Sequence, residues 1–191
     1  MTGPGGPGGP AHTVTHAGYA GAQADTPGGA GRRFAVLAAR FNGDVVERLV
    51  EGASGCLSAH GVGEDDVVVE WTPGAFELPL AAKRAAGSGR FDAVVCLGAV
   101  IRGETAHFDF VAGEAARGIQ AAALETGVPI LFGVLTTDTV EQALERSGGA
   151  HGNKGWDCAL AALQMIELLG RLPGPAHGRP YGRPGGRRDA R

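Results

Sequence analysis

The chain has 191 residues, of which 43% are hydrophobic and 19% charged, and its formal net charge is -3 at pH 7. This length suits one domain. Residues 34–170 carry 9 Lys and Arg against 18 Asp and Glu, so the body is acidic, which excludes a nucleic-acid groove there because phosphate-backbone binding needs a basic surface. No run reaches the ~18 apolar residues that a membrane span requires. We therefore expect neither nucleic-acid nor membrane partners.

The two ends of the chain are rich in glycine and proline and nearly lack bulky apolar residues. Such segments bury too little surface to offset the entropy lost on ordering. We therefore expect a disordered extension over residues 1–33, a folded domain over 34–170 and a disordered basic tail over 171–191. The basic tail is either solvated, which is the simpler interpretation, or binds an anionic guest.

Short β-rich runs alternate with helical patterns in the predicted domain. The predicted strands are 34–40, 67–71, 92–101 and 129–137. The predicted helices are 43–61, 73–87, 109–126, 139–147 and 155–169, with GGAHGN as a loop before the last one. The third strand is so apolar that both of its faces must be covered. This order predicts an α/β protein, a three-layer α/β/α sandwich around a four-stranded parallel sheet with right-handed crossovers.

The three cysteines, Cys56, Cys96 and Cys158, lie far apart in apolar sequence and lack metal-ligand spacing. They are predicted to be buried thiols, which suits a reducing cytoplasm better than a disulfide-bonded secreted protein. The N-terminus has no basic segment followed by an apolar one, as a signal peptide would. We therefore expect a cytoplasmic protein.

Ligands of open α/β sheets bind outside the carboxyl ends of the strands. That rule selects four segments: RFN after the first strand, TPGAFE after the second, RGETAH after the third, and FGVLTT at the end of the fourth. At each of these places the sequence changes from apolar to polar or aromatic. The candidate site is therefore predicted at this edge of the sheet.

The segment RGETAH precedes the longest predicted helix. Gly103, Glu104 and Thr105 could present backbone N–H groups to an anion, or could form a simple Thr-capped helix start. His107 is either a surface histidine or a proton-transfer group, because the imidazole pKa lies near neutrality. His107 and Asp109 alone are weak evidence for a metal. We therefore expect no metal site.

Aromatic and charged residues in the other segments also have both a structural and a ligand-binding interpretation. Phe41 and Phe76 are either core residues or stacking surfaces for a flat heterocycle. Glu77 is either a helix-start acid or an acceptor for ligand hydroxyls. Arg146 and Lys154 enclose a glycine-rich segment, which is either a helix C-cap or a phosphate clamp.

Five motifs taken together resemble the lumazine synthases. They are RFN (40–42), PGAFELP (73–79), GAVIRGETAHFDFV (98–111), FGVLTTDTVEQALERSG (132–148) and GNKGWDCA (152–159). Their order and intervals match the family over about residues 34–170. The resemblance implies a flavodoxin-like fold and a cofactor-free transferase of riboflavin biosynthesis. Its reaction condenses 5-amino-6-(D-ribitylamino)uracil with 3,4-dihydroxy-2-butanone 4-phosphate to 6,7-dimethyl-8-ribityllumazine, phosphate and water.

The resemblance also implies roles for residues at matching motif positions. His107 corresponds to the proton donor, and the butanone phosphate would contact Glu104, Thr105 and Arg146. The contacts to the ribitylaminouracil would be Phe41, Asn42, Ala75, Phe76, Glu77, Ala99, Val100, Ile101, Phe132 and Lys154.

The resemblance further implies a homopentamer with the site between neighbouring chains, where Phe132 comes from the adjacent chain. Because residues 148–153 contain no insertion, an icosahedral shell of twelve pentamers is favoured over a free pentamer, and riboflavin synthase is a candidate partner. Ala150 stands where relatives often have lysine, which leaves the anion site one charge weaker. The alternative is a non-catalytic shell-forming or flavin-binding homologue, which would lack His107, Arg146 or the stacking aromatic. All of these are present.

Overall fold

The computed structural model describes residues 28–173. The strands are β1 Phe34–Ala39, β2 Val67–Thr72, β3 Ala93–Ile101, β4 Ile130–Thr137, β5 Ser147–Gly149 and β6 Gly152–Asn153. The α-helices are α1 Gly43–Ala59, α2 Leu78–Gly87, α3 His107–Thr126, α4 Val140–Glu145 and α5 Lys154–Arg171. Two single-turn 3₁₀ helices, Glu64–Asp66 and Ala75–Glu77, precede β2 and α2.

The main sheet is parallel throughout, with the strand order β2-β1-β3-β4. This arrangement confirms the predicted four-stranded parallel sheet. In the register, Ala39 pairs with Thr72 and Ile101 pairs with Thr137. The strand exits are therefore nearly level in these pairs, and the segments that follow them share one edge. We refer to this edge, where the carboxyl ends of β1 to β4 meet, as the carboxyl rim.

Helices cover both faces of the sheet, which confirms the predicted three-layer α/β/α sandwich. One core contains side chains of α1, α4 and α5, among them Leu49 and Leu163. The other core contains side chains of α2 and α3, among them Leu78 and Ile119. Strand β3 contributes alternate residues to the two cores, and its first seven residues are buried. Its continuous apolar run follows from burial on both faces.

Helices α1 and α5 approach each other closely near the carboxyl rim. A Cβ atom placed on Gly155 would lie 2.7 Å from the carbonyl carbon of Leu49 and closer still to its oxygen. The Asn153 side chain forms hydrogen bonds to both helices beside this contact. Its Nδ2 donates to the Arg48 backbone oxygen in α1 at 2.8 Å, and its Oδ1 accepts from the Gly155 N–H in α5 at 2.8 Å. Asn153 therefore caps α5 and joins it to α1.

The segment GGAHGN forms part of a two-stranded antiparallel hairpin, β5–β6, and the prediction of a plain loop was wrong. The φ angles of Gly148 and Gly152 are 119° and 79°, a region that glycine adopts readily and that allows a tight reversal. The Glu145 carboxylate accepts from the Ala150 N–H at 2.9 Å, which fixes the tip. The segment lacks β-branched and aromatic residues, so it carries no strand signal.

Residues 28–33, which were predicted to be part of the N-terminal extension, lie against the domain. The Gly29 N–H donates to the His60 oxygen at 2.8 Å, and the Arg33 N–H donates to an Asp92 carboxylate oxygen at 2.8 Å. Residues 1–27 of the predicted extension and 174–191 of the predicted tail lie outside the described residues. Among residues 28–173, no helix combines the length and apolarity needed to cross a membrane.

Candidate functional site at the carboxyl rim

Phe41 and Glu77 flank Gly74 at the exits of β1 and β2. A Cβ atom placed on Gly74 would lie 3.7 Å from Cδ2 of Phe41 and 3.2 Å from Oε2 of Glu77. The Phe41 side chain is 72% exposed and that of Phe76 is 55% exposed, so neither is a core residue of the single chain. Ala75, which directly precedes Phe76, is buried. The rim therefore offers an exposed aromatic ring beside a carboxylate.

Asn42 connects the exits of β1 and β3. Its Nδ2 donates to the backbone oxygen of Ala99 at 2.8 Å, and its φ angle of 57° places it in the left-handed region. Its own backbone oxygen accepts from the N–H groups of Val45 and Val46 at the start of α1. One N–H of the Asn42 amide is thus used within the protein. Ala99 is buried, whereas Val100 and Ile101 are partly buried at the end of β3.

Glu104, Thr105 and His107 are exposed on the segment between β3 and α3. Helix α3 begins at His107, two residues before the predicted start. The residue before it, Ala106, has no side chain able to cap the helix, and the Thr105 hydroxyl accepts from the His107 N–H at 3.4 Å. The structure therefore places the imidazole in the first turn of the helix, directly after the predicted anion-binding segment.

Arg102 is a further rim residue, to which the sequence reasoning gave no role. Its Nε donates to the Asp138 carboxylate at 2.9 Å, its Nη1 lies 3.3 Å from the Asp109 carboxylate, and its guanidinium carbon is 4.1 Å from the centre of the Phe108 ring. The hydrogen bond to Asp138, together with the nearby charge of Asp109, raises the pKa of Arg102 above its ordinary value. The sequence carried no signal for these contacts, because they depend on the register that pairs Ile101 with Thr137 and so brings residues 102 and 138 side by side.

Arg146 ends α4, as the helix C-cap alternative predicts, and its side chain is exposed. Its Nη1 donates to the Gln142 oxygen at 3.2 Å, and its backbone oxygen accepts from the Lys154 N–H at 2.8 Å. Lys154 is exposed at the start of α5. Two cationic side chains therefore lie at the base of the β5–β6 hairpin, in an otherwise acidic body.

Phe132 lies away from the carboxyl rim of its own chain. It pairs with Cys96, which pairs with Leu37, so its level is about 13 Å below that of Phe41 along the strands. It is partly buried against the core formed by α2 and α3. A single chain therefore does not bring Phe132 and Phe41 together.

The three thiols are free and buried, as predicted from their apolar surroundings. Burial raises the pKa of Cys56 to about 12 and that of Cys158 to about 11, and it also raises the pKa of Cys96. The nucleophile of cysteine chemistry is the thiolate, so these residues are inert in the folded chain. Among residues 28–173, no group of three or more His, Cys, Asp or Glu is arranged to hold a metal ion.

A surface groove of about 700 Å³ lies between α1 and the β5–β6 hairpin. Its charged lining is mostly acidic, with Asp44, Glu47 and Glu51 around Arg48. Its lining contains none of the residues predicted to contact substrate. An acidic groove is also a poor receptor for a phosphate ester, because like charges repel.

The matching family model is described as 6,7-dimethyl-8-ribityllumazine synthase, and it covers residues 31–170. This range contains all five sequence motifs and every element of the carboxyl rim. The match confirms the resemblance seen in the motifs, and it spans more than half of the chain. The chain therefore belongs to the 6,7-dimethyl-8-ribityllumazine synthase family, whose members are transferase-type enzymes of riboflavin biosynthesis.

Proposed function

We propose that this chain catalyses the condensation of 5-amino-6-(D-ribitylamino)uracil with 3,4-dihydroxy-2-butanone 4-phosphate. The products are 6,7-dimethyl-8-ribityllumazine, phosphate and water. One observation carries the proposal: an exposed aromatic ring beside a carboxylate, at Phe41 and Glu77, shares a sheet edge with a helix that begins at an exposed histidine, His107. One substrate is a flat ring with a polyol, and the other is a small anion.

The ring and its ribityl chain bind on the β1–β2 side of the rim. Phe41 stacks on the pyrimidine, because aromatic faces attract flat heterocycles. Glu77 accepts hydrogen bonds from ribityl hydroxyls, and such bonds to a charged acceptor are the stronger kind. The backbone at Ala75–Phe76 and at Ala99–Ile101 completes this half. Asn42 contributes by holding the β1 exit against Ala99.

The phosphate group binds beside the start of α3. Helix N-termini favour anions through their N–H groups and the helix dipole. Glu104 and Thr105 line this segment, and Arg146 supplies positive charge, whereas Lys154 contacts the ribitylaminouracil. Arginine suits the task because its planar fork matches phosphate oxygens.

His107 transfers protons between the two halves. The amine of the uracil attacks the ketone, and loss of water gives an imine. Phosphate then leaves, and the second nitrogen closes the ring with loss of another water. A positioned imidazole contributes roughly 10²- to 10⁴-fold through such transfers. Holding two substrates together contributes more, because effective molarities reach about 10⁵ M.

A neighbouring copy of the chain completes this pocket. Phe132 is too far from Phe41 to act within one chain, and large apolar side chains, including Leu80, Phe110 and Leu124, are exposed on α2 and α3. These exposed apolar side chains support the proposal of an interface with another chain. We propose a homopentamer in which Phe132 and Arg146 come from the adjacent chain, with the shell of twelve pentamers as the favoured larger assembly.

The enzyme would work in the cytoplasm, with riboflavin synthase as a candidate partner for its product. The catalytic domain spans about residues 34–170, preceded by a glycine- and proline-rich extension and followed by a basic tail. We propose that the tail keeps the assembly in solution.

Mixing the purified full-length protein with both substrates tests the function. The lumazine chromophore and free phosphate should appear in equal amounts, and neither should appear when one substrate is omitted. Binding of the uracil substrate without turnover would support the non-catalytic homologue instead. Mass measurement of the same sample distinguishes a pentamer from a shell, and a monomer with full activity would overturn the shared pocket.

A further inference from the structure

Arg102 joins three parts of the carboxyl rim. Its backbone N–H donates to the Thr137 oxygen at 2.9 Å, which extends the pairing of β3 with β4 by one residue. Its guanidinium then reaches Asp138 after β4 and Asp109 in the first turn of α3. The ring of Phe108 lies against the guanidinium, with 4.1 Å from the guanidinium carbon to the ring centre.

The residues that Arg102 holds in α3 directly follow His107. Phe108 and Asp109 are the second and third residues of the helix, so fixing both of them fixes the orientation of its first turn. A guanidinium that bonds two carboxylates and stacks on a ring has its plane defined by all three contacts. The turn that presents the imidazole is therefore tied to the ends of β3 and β4.

The same contacts continue to Arg146 of the same chain, which in the proposed pentamer belongs to the site of a neighbouring copy. The Asp138 N–H donates to the Gln142 side-chain oxygen at 2.9 Å. The backbone oxygen of Gln142 in turn accepts from Nη1 of Arg146 at 3.2 Å. A continuous chain of polar contacts thus runs from Asp109 through Arg102 and Asp138 to Arg146.

Stability is a poor explanation for this arrangement. The side chains of Arg102, Asp109 and Asp138 are 44%, 62% and 68% exposed. Ion pairs at that exposure contribute little to folding, because water screens them and two side chains lose freedom. The geometry instead fixes where neighbouring groups point.

We propose that Arg102 is a positioning residue that holds the first turn of α3, and through it the His107 imidazole, in the orientation needed for proton transfer. The inference rests on the proposed function of His107. Arg102 itself does not contact substrate. Its removal leaves the imidazole in place but less well directed, and misplacement by about 1 Å can cost up to about 100-fold in rate.

A double-mutant cycle of Arg102→Gln and His107→Ala in the full-length protein tests this role. Arg102→Gln alone should lower kcat about 10- to 100-fold, with a small change in the KM of either substrate. In the His107→Ala background the same change should have almost no further effect, because the group it directs is gone. Arg102→Lys should recover only part of the rate, since lysine lacks the planar fork.

Arg171→Gln is the matched control, because Arg171 forms an exposed ion pair with Glu167 at the last turn of α5, far from the carboxyl rim. It should leave kcat unchanged. The kcat values are compared only among variants whose assembled mass equals that of the wild type. If Arg102→Gln does not assemble, Asp138→Asn is used instead. This substitution weakens the ion pair between Arg102 and Asp138, which is shorter than the pair with Asp109, and it preserves the size of the side chain.

Amide hydrogen exchange provides a readout that does not depend on turnover. Peptides covering residues 103–110 should exchange faster in Arg102→Gln than in the wild type or in Arg171→Gln. Unchanged exchange, or full additivity of the two substitutions on kcat, would overturn the positioning role. If the wild type forms no lumazine, the proposed function fails, while the exchange measurement still decides whether Arg102 holds the helix start.

Discussion

The Asn42 side chain donates a hydrogen bond of 2.8 Å to the backbone oxygen of Ala99, and so joins the exits of β1 and β3. These two strands are neighbours at the centre of the sheet, and the chain runs outward from them to β2 on one side and β4 on the other. Such a reversal of strand order is where ligands of α/β sheets bind. The bond therefore supports the base of the site from within the protein.

Asn42→Ala should lower the free energy of unfolding by about 2 kcal/mol, since it removes a hydrogen bond and puts alanine, which tolerates the left-handed region less well than asparagine, at this position. Asn42→Gly should lose only about 1 kcal/mol, because glycine adopts φ = 57° without strain. Thermal unfolding at matched protein concentration measures both. Equal losses in the two variants would show that the left-handed backbone contributes nothing.

His107→Ala should reduce kcat by roughly 10²- to 10⁴-fold and leave slow but measurable lumazine formation. The KM values should change little, because binding of both substrates depends on other residues. Steady-state kinetics with each substrate varied in turn provide the measurement. Wild-type kcat in this variant would remove the imidazole from the mechanism.

Arg146→Ala should mainly weaken capture of the phosphate substrate. Its KM for the butanone phosphate should rise about 10-fold or more, as expected when a charged hydrogen bond is lost, whereas the KM for the uracil should stay close to wild type. Inorganic phosphate should also inhibit this variant less than the wild type. A selective loss in the uracil KM would contradict the assignment.

Gly155→Ala should destabilise the fold by at least about 3 kcal/mol, equivalent to roughly 10 °C in Tm. The added Cβ meets the Leu49 backbone, which cannot rotate away as a side chain would. Gly170→Ala, in the same helix, has no atom within 4 Å of the added Cβ and is the matched control. It should stay within about 0.5 kcal/mol of wild type or be slightly more stable. Similar Tm losses in both variants would argue against the close helix contact.

The buried thiol of Cys158 should make stability fall above pH 9. Burial raises its pKa from the ordinary 9.0 to about 11, so the folded state keeps this proton while the unfolded state releases it. Its contribution is complete below pH 9 and is lost as the pH rises toward 11, with a slope of up to about 1.4 kcal/mol per pH unit.

Cys158→Ala removes this titration and should show a shallower decline in Tm between pH 9 and 10.5. The slopes are compared rather than the absolute Tm values, because the alanine also leaves a cavity. Parallel declines in the two proteins would mean that other groups cause the loss.

The strands and helices of the sandwich could be predicted because each is encoded locally. The nine residues of β3 form an unbroken apolar run, and Gly127 ends α3 in the left-handed conformation that glycine favours. The hairpin after α4 could not be predicted in this way. Its strands depend on positive φ angles at Gly148 and Gly152 and on backbone contacts to α4, and neither leaves a periodic pattern.

The candidate site was predictable only in part, for a related reason. The rule of strand exits identified the segments of Phe41, Glu77 and His107 without any coordinates. The contacts of Arg102 required the register of β3 with β4, because Asp138 is 36 residues away along the chain. The direction of the Asn42 amide toward Ala99 likewise depends on a backbone angle that the residue type permits but does not require.

The close packing of Gly155 against the Leu49 backbone also limits how α1 and α5 can move relative to each other. Many enzymes admit and release ligands through shear, in which packed helices slide over one another by small side-chain adjustments. A backbone-to-backbone contact has no side chain to adjust, so α1 and α5 move as one rigid unit with the sheet beneath them. Any opening in the proposed catalytic cycle is therefore expected to leave the packing of α1 against α5 unchanged.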